Sequence, residues 1–235
     1  MKNQTAGDII VIGGGGFGGM PQQFQIEEYI LKQARTDKPS ICFIPTASAE
    51  NEGYISRFFE VFSQFNCQPH VLRLFNRTPD VDQVILNSDI IYVGGGNTKS
   101  MLAVFEAWGI NSLLKTANQQ GTVLTGVSAG MICWYEQGIT DSYQDRMDIL
   151  PCLSLLPGCG CPHYDSEADR QPLVHGLIQN HTITSCIAVE NGAAVHYKNH
   201  QFHQSVAFQA GKQAYTVKQG AGKIIEEKHT MVSLI

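Results

Sequence analysis

At 235 residues with 43% apolar side chains, the chain is long enough for one sizeable α/β domain with a continuous core, which excludes a disordered protein. The formal net charge of −5, with no basic run, argues against nucleic acid as a partner. The early apolar run Ile9 to Ile12 is too short for a signal-peptide core, and nothing approaches the roughly 18 apolar residues of a membrane span; a cytoplasmic protein with no membrane partner is expected.

In chain order, Asp8 to Ile12, Ser40 to Ile44, His70 to Leu74, Asp89 to Val93 and Thr122 to Thr125 read as strands. Each is almost continuously apolar, as expected of a parallel sheet covered on both faces by helices. Helical patterns alternate with them. Ile55, Phe58, Phe59, Phe62 and Phe65 form one buried stripe, and Met101, Leu102 and Phe105 mark a second helix over 98–107. This β-α-β-α order predicts a doubly wound α/β sheet in a single domain spanning 1–235. After about residue 180 the texture changes. Ile187–Glu190, Ala193–Tyr197, Gln201–Phe208, Ala214–Lys218 and Lys223–Glu227 read as short antiparallel hairpins closing one edge of the same sheet.

Two glycine loops fall at strand ends. Gly14-x-Gly16-x-x-Gly19 has the spacing of a dinucleotide fingerprint, but the second strand runs into Pro45-Thr46-Ala47-Ser48 without the carboxylate that would hold a ribose. No cofactor is therefore assigned, and the loop reads as a flexible rim. Gly94-Gly95-Gly96-Asn97-Thr98 opens a helix. There Asn97 or Thr98 would cap the helix, or the loop amides would form an oxyanion or anion site. The seven cysteines are scattered; Cys159, Cys161 and His163 lie close together, but a second ligand pair is missing, so no metal is expected.

Gly126-Val127-Ser128-Ala129-Gly130 carries the chemistry. In Gly-x-Ser-x-Gly the serine sits on a tight turn between a strand and a helix, and both contexts are legible: Thr122–Thr125 before, and Ala129 to Glu136 after. A serine hydroxyl needs a base. Of the eight histidines, His163 stands out because Gly-Cys-Gly-Cys-Pro-His-Tyr-Asp reads as a loop returning across the sheet's carboxyl edge. Asp141, Asp145, Asp148, Asp165 and Glu190 are candidates for the acid that orients the imidazole; Glu190 ends a strand.

Taken together, Gly-Gly-Gly-Asn-Thr, Gly-x-Ser-Ala-Gly, Pro-His-Tyr and a strand-end Glu, in that order, resemble peptidase family S51, which includes peptidase E and cyanophycinase. The resemblance implies a class I glutamine amidotransferase-like, flavodoxin-like three-layer sandwich. It also implies a serine-type peptidase acting on short peptides, among them dipeptides with N-terminal Asp. Ser128 would be the nucleophile and His163 the base, with Glu190 or Asp141 as the acid. Gly96 and Ala129 would supply the oxyanion hole, with Arg170 and Asn97 on the substrate. Met131, where the family usually has a small residue, would reshape the pocket. The expected partner is a small peptide, the expected state a monomer or homodimer. Two alternatives stay open: an α/β-hydrolase esterase using His229, and a non-catalytic small-molecule binding protein on the same scaffold.

Overall fold

The computed structural model describes residues 5–18, 24–77 and 80–235. Its elements in chain order are β1 (Ile9–Ile12), α1 (Gln25–Leu31), β2 (Ser40–Ile44), α2 (Glu52–Phe62), β3 (Gln68–Val71), α3 (Val81–Leu86), β4 (Ile90–Val93), α4 (Thr98–Ala107), α5 (Ile110–Gln119), β5 (Val123–Val127) and the short α6 (Ala129–Ile132). There follow β6 (Tyr135–Thr140), β7 (Asp148–Pro151), β8 (Leu156–Cys161), α7 (Arg170–Gln179), β9 (Ser185–Val189), β10 (Ala193–Lys198), β11 (Gln201–Ala207), β12 (Ala214–Gly220), β13 (Lys223–Lys228) and β14 (Met231–Ser233).

The larger sheet has the order β14-β11-β10-β1-β5-β4-β2-β3, and its five strands from β1 to β3 are parallel neighbours. Its apolar strands are continuous because successive side chains enter different cores. Ile9, Val11, Cys42, Ile44, Ile91 and Val93 pack with α3, α4 and α5. Their neighbours Ile10, Ile12, Ile41, Phe43, Ile90 and Tyr92 pack with α1 and α2 on the other face. This is the doubly wound α/β arrangement expected from the sequence.

The second sheet, β13-β12-β9-β8-β6-β7, was only half visible in the pattern. The hairpin strands do not all close one edge. β10 and β11 extend the large sheet beside β1, whereas β9, β12 and β13 join β6 to β8. β6 and β8 are hard to read because glycines interrupt their apolar pattern. A Cβ at Gly138 would lie 2.6 Å from Ile132, and one at Gly160 would lie 2.6 Å from Tyr135. Close packing thus takes the place of strand-forming side chains. The expected long helix after Ser128 is accordingly short: α6 ends at Ile132, and the chain turns into β6 at Tyr135. Helix α7 covers the outer face of this sheet through Val174, Leu177 and Ile178. Among the described residues no helix is long and apolar enough to cross a membrane.

The first glycine loop is not a free rim. Phe17 is buried and its ring meets Phe43, Tyr54, Phe58, Phe62 and Tyr92. Gly19 of the fingerprint lies outside the described residues. In the aromatic stripe Phe58 and Phe62 are buried, but Phe59 remains 40% exposed.

Glu27 of α1 is buried against this cluster, and among the described residues no side chain donates to either carboxylate oxygen. Burial pushes its carboxyl up to about 7, against the opposing pull of the Glu27 and Phe17 backbone amides and of Arg57. Because the folded state holds this proton more tightly than the unfolded chain, stability falls as pH rises from the ordinary carboxylate range through about 7. The shift corresponds to about 3 kcal/mol at most. Urea unfolding of Glu27→Gln should therefore show a stability advantage over wild type that is larger at pH 8 than at pH 5. An advantage independent of pH would contradict this assignment.

Candidate active site

The site is built on the carboxyl ends of β1, β4 and β5. Ser128 follows β5 with φ 57° and ψ −111°, a strained conformation for a residue with a Cβ. A serine preceding a helix ordinarily caps it through its hydroxyl. Ser128 makes no such bond, so capping does not explain the residue. What holds the turn is backbone: the Ser128 N–H donates to Ile12 O (3.3 Å), and the Met131 N–H donates to Ser128 O (2.9 Å). The flanking glycines are required by close approach. A Cβ at Gly126 would lie 2.5 Å from Val93 O and Gly130 O, and one at Gly130 would lie 2.0 Å from Val93 O.

His163, half-buried, stands in the loop after β8, and its backbone N–H donates to Gly13 O (3.1 Å). Ser128 and His163 are thus tied to successive carbonyls at the end of β1. Gly14 continues beneath them. A Cβ there would lie 2.8 Å from His163 Nδ1, so a larger residue would displace the ring. The second glycine loop closes the site from β4. A Cβ at Gly95 would lie 3.3 Å from the Ser128 Cβ. The next residue, Gly96, is exposed at φ 134°, and Ala129, first in α6, has an N–H with no acceptor within its helix. These are the two amides that the family resemblance implies for an oxyanion hole. Under the loop, the Tyr54 phenol is pushed up to about 12 by burial, so it stays neutral beside Gly95.

The other sequence-marked residues lie elsewhere or are committed to other partners. Glu190 does not meet His163: its carboxylate accepts from the Tyr215 hydroxyl (2.7 Å) and the Gln213 N–H (3.0 Å). The neighbour that reaches His163 is Asn191, whose Oδ1 is 2.7 Å from Nδ1. Asp141 is exposed beyond β6 and has no hydrogen bond to a histidine, while adjacent Ser142 accepts from the Thr98 N–H (2.8 Å). Asn97 is the cap of α4, accepting from the Ser100 N–H (2.8 Å). Met131 is buried in the core rather than in a pocket. The thiols of Cys159 and Cys161 are buried near Cys186, and among the described residues no three His, Cys, Asp or Glu side chains form a metal-sized group. His229 has both ring nitrogens engaged, with Ser205 and Thr216, which leaves the esterase reading without its base.

A model of peptidase family S51 matches residues 9–205. This chain belongs to peptidase family S51. Within the family it is 43% identical over 220 residues to an uncharacterized peptidase, YgaJ, of Bacillus subtilis (strain 168), covering 93% of this chain and 95% of that one. Peptidase E of Shewanella denitrificans (strain OS217) is 26% identical over 168 residues, 65% of this chain and 68% of that relative. In fold, the S51 chain resembles the crystal structure of a peptidase from an acI-B1 Actinobacterium, with TM-score 0.70 at 16% identity, over 95% of this chain and 98% of that one.

For an S51 chain, Arg170 was the cation expected to hold an acidic substrate side chain. It is instead 2% exposed and bonded to Glu167 (Nη2 to Oε2 2.7 Å) and to the Ile139 carbonyl (3.0 Å). It begins α7 and pins that helix to β6. Arg170→Ala should therefore lower stability by about 1–3 kcal/mol, by removing the buried guanidinium that donates to the Ile139 carbonyl. A variant of wild-type stability with a raised KM for acidic peptides would show a substrate role instead.

Proposed function

We propose that the chain is a serine-type peptidase that hydrolyses short peptides through an acyl-enzyme on Ser128. The observation that carries this reading is the strained, uncapped Ser128 between β5 and α6, with His163 tied to the adjacent carbonyl of β1. In this mechanism His163 Nε2 takes the Ser128 proton as Oγ attacks the scissile carbonyl. The Gly96 and Ala129 amides receive the charge that develops on the carbonyl oxygen. The imidazolium then protonates the leaving amine, and water, activated by the same histidine, releases the acid and restores the serine.

The name of the peptidase E relative, and the family resemblance, favour peptides with an N-terminal Asp as the first substrates to try. Arg170 does not support that preference, because its guanidinium is already paired. The test is incubation with a fluorophosphonate, followed by peptide mapping, alongside a panel of aminoacyl p-nitroanilides that includes Asp. Adduct on Ser128 and release of p-nitroaniline are expected. Absence of both would favour the non-catalytic binding reading.

A further inference from the structure

We propose that the residue orienting the catalytic imidazole is the neutral amide of Asn191, not a carboxylate, so that the site operates as Ser128-His163-Asn191. The inference rests on the reading of Ser128 and His163 as nucleophile and base, and adds the third member.

The hydrogen bonds around the amide fix its direction. Asn191 Oδ1 lies 2.7 Å from His163 Nδ1, while its Nδ2 donates to the Ser166 hydroxyl (3.0 Å). That hydroxyl directs its own proton toward the His163 carbonyl, so it is free to accept from the amide. With the NH2 group so committed, only the amide oxygen is left for the ring. Oxygen accepts, so Nδ1 must carry the proton and Nε2 must present a lone pair. This is the tautomer a general base needs.

The amide is itself built in. Its backbone N–H donates to Asp165 Oδ1 (2.9 Å), and Asp165 Oδ2 is paired with Lys212 Nζ (2.5 Å). Burial works to raise the Asp165 carboxyl, but Lys212 and the Asn191 amide outweigh it and hold it below the ordinary range. Asp165 therefore stays charged and clamps the turn. From below, Gly192 N–H donates to Gly14 O (2.8 Å), and a Cβ on Gly14 would lie 1.9 Å from Asn191 Oδ1. The other charged groups nearby are spoken for: Glu190 by Tyr215 and Gln213, Glu167 by Arg170. Both residues lie just past the end of β9: Tyr215 and Gln213 hold Glu190, and Asn191 is the one that reaches the histidine.

An amide orients the ring without adding a negative charge. The predicted consequence is that Asn191→Asp supplies a charge which stabilises the imidazolium, so the acid limb of kcat/KM moves upward by about one pH unit. Asn191→Ala should lower kcat about 10²-fold with little change in KM, whereas Glu190→Gln should change kcat by no more than about threefold. The deciding readout does not depend on turnover: 15N-edited NMR of the His163 ring in the full chain. A dominant Nδ1–H tautomer is expected in wild type, retained in Glu190→Gln and in the isosteric Asn191→Asp, and lost in Asn191→Ala. A dominant Nε2–H tautomer in wild type, or a tautomer that responds to Glu190→Gln and not to Asn191→Ala, overturns the proposal. Failure of the serine-peptidase reading looks different, as an unlabelled Ser128 in a protein that keeps the His163 signature.

Discussion

Ser128→Ala is expected to lower kcat by about 10⁴-fold or more while leaving the protein folded, since removing the nucleophile leaves only binding and the oxyanion amides. The stability half of this expectation follows from what the hydroxyl does not do. It caps no helix amide, so its removal leaves no buried donor or acceptor unpaired. The melting temperature should stay within about 2 °C of wild type. A sharper form uses the backbone. With φ 57° and ψ −111°, residue 128 carries strain of about 1–3 kcal/mol for any side chain with a Cβ. Ser128→Gly should therefore be as inactive as Ser128→Ala yet more stable by about 1 kcal/mol. Gain of stability with complete loss of activity marks a residue kept for chemistry. If Ser128→Ala retained turnover, the nucleophile would have to be sought elsewhere.

The second large effect belongs to Gly130. A Cβ there would lie 2.0 Å from Val93 O and 2.6 Å from Val93 C, and both atoms are backbone at the end of a central strand. Neither can move without disturbing β4 or the loop that carries Gly95 and Gly96. Gly130→Ala should cost about 3 kcal/mol or more, the upper range for overpacking, read as a lowered urea midpoint. Gly176 provides the control. It lies inside α7, and a Cβ there meets nothing within 4 Å, so Gly176→Ala should stabilise by about 0.5–1 kcal/mol. Equal effects of the two substitutions would show that the elbow glycines are not constrained by β4.

Much of the fold was legible because it is local. β1, β2, β4 and β5 are short apolar runs bounded by turns, and α2 and α4 carry clear one-sided stripes. Period and composition are properties of contiguous residues, and a sequence displays them directly. The Gly-x-Ser-x-Gly turn is of the same kind: its glycines and its strand lie within a few residues of the serine.

What the sequence could not display are choices among chemically similar neighbours made by distant contacts. Glu190 and Asn191 are adjacent, and either side chain could hold an imidazole. The capture of Glu190 by Tyr215 and Gln213, more than twenty residues away, turns it from His163. Arg170 has the charge an acidic substrate needs, but the packing of α7 against β6 commits it to Glu167 and a main-chain carbonyl. The second sheet was obscured for a related reason, since Gly138 and Gly160 serve close packing against Ile132 and Tyr135 that no local pattern records. The sequence by itself determined the parallel α/β scaffold, the serine elbow and the histidine loop, because propensity and turn chemistry act over a few residues. Only the tertiary structure decided which group meets the histidine and that Arg170 is already paired. Side-chain direction at a strand end, and the pairing of buried charges, depend on partners that folding brings from elsewhere in the chain.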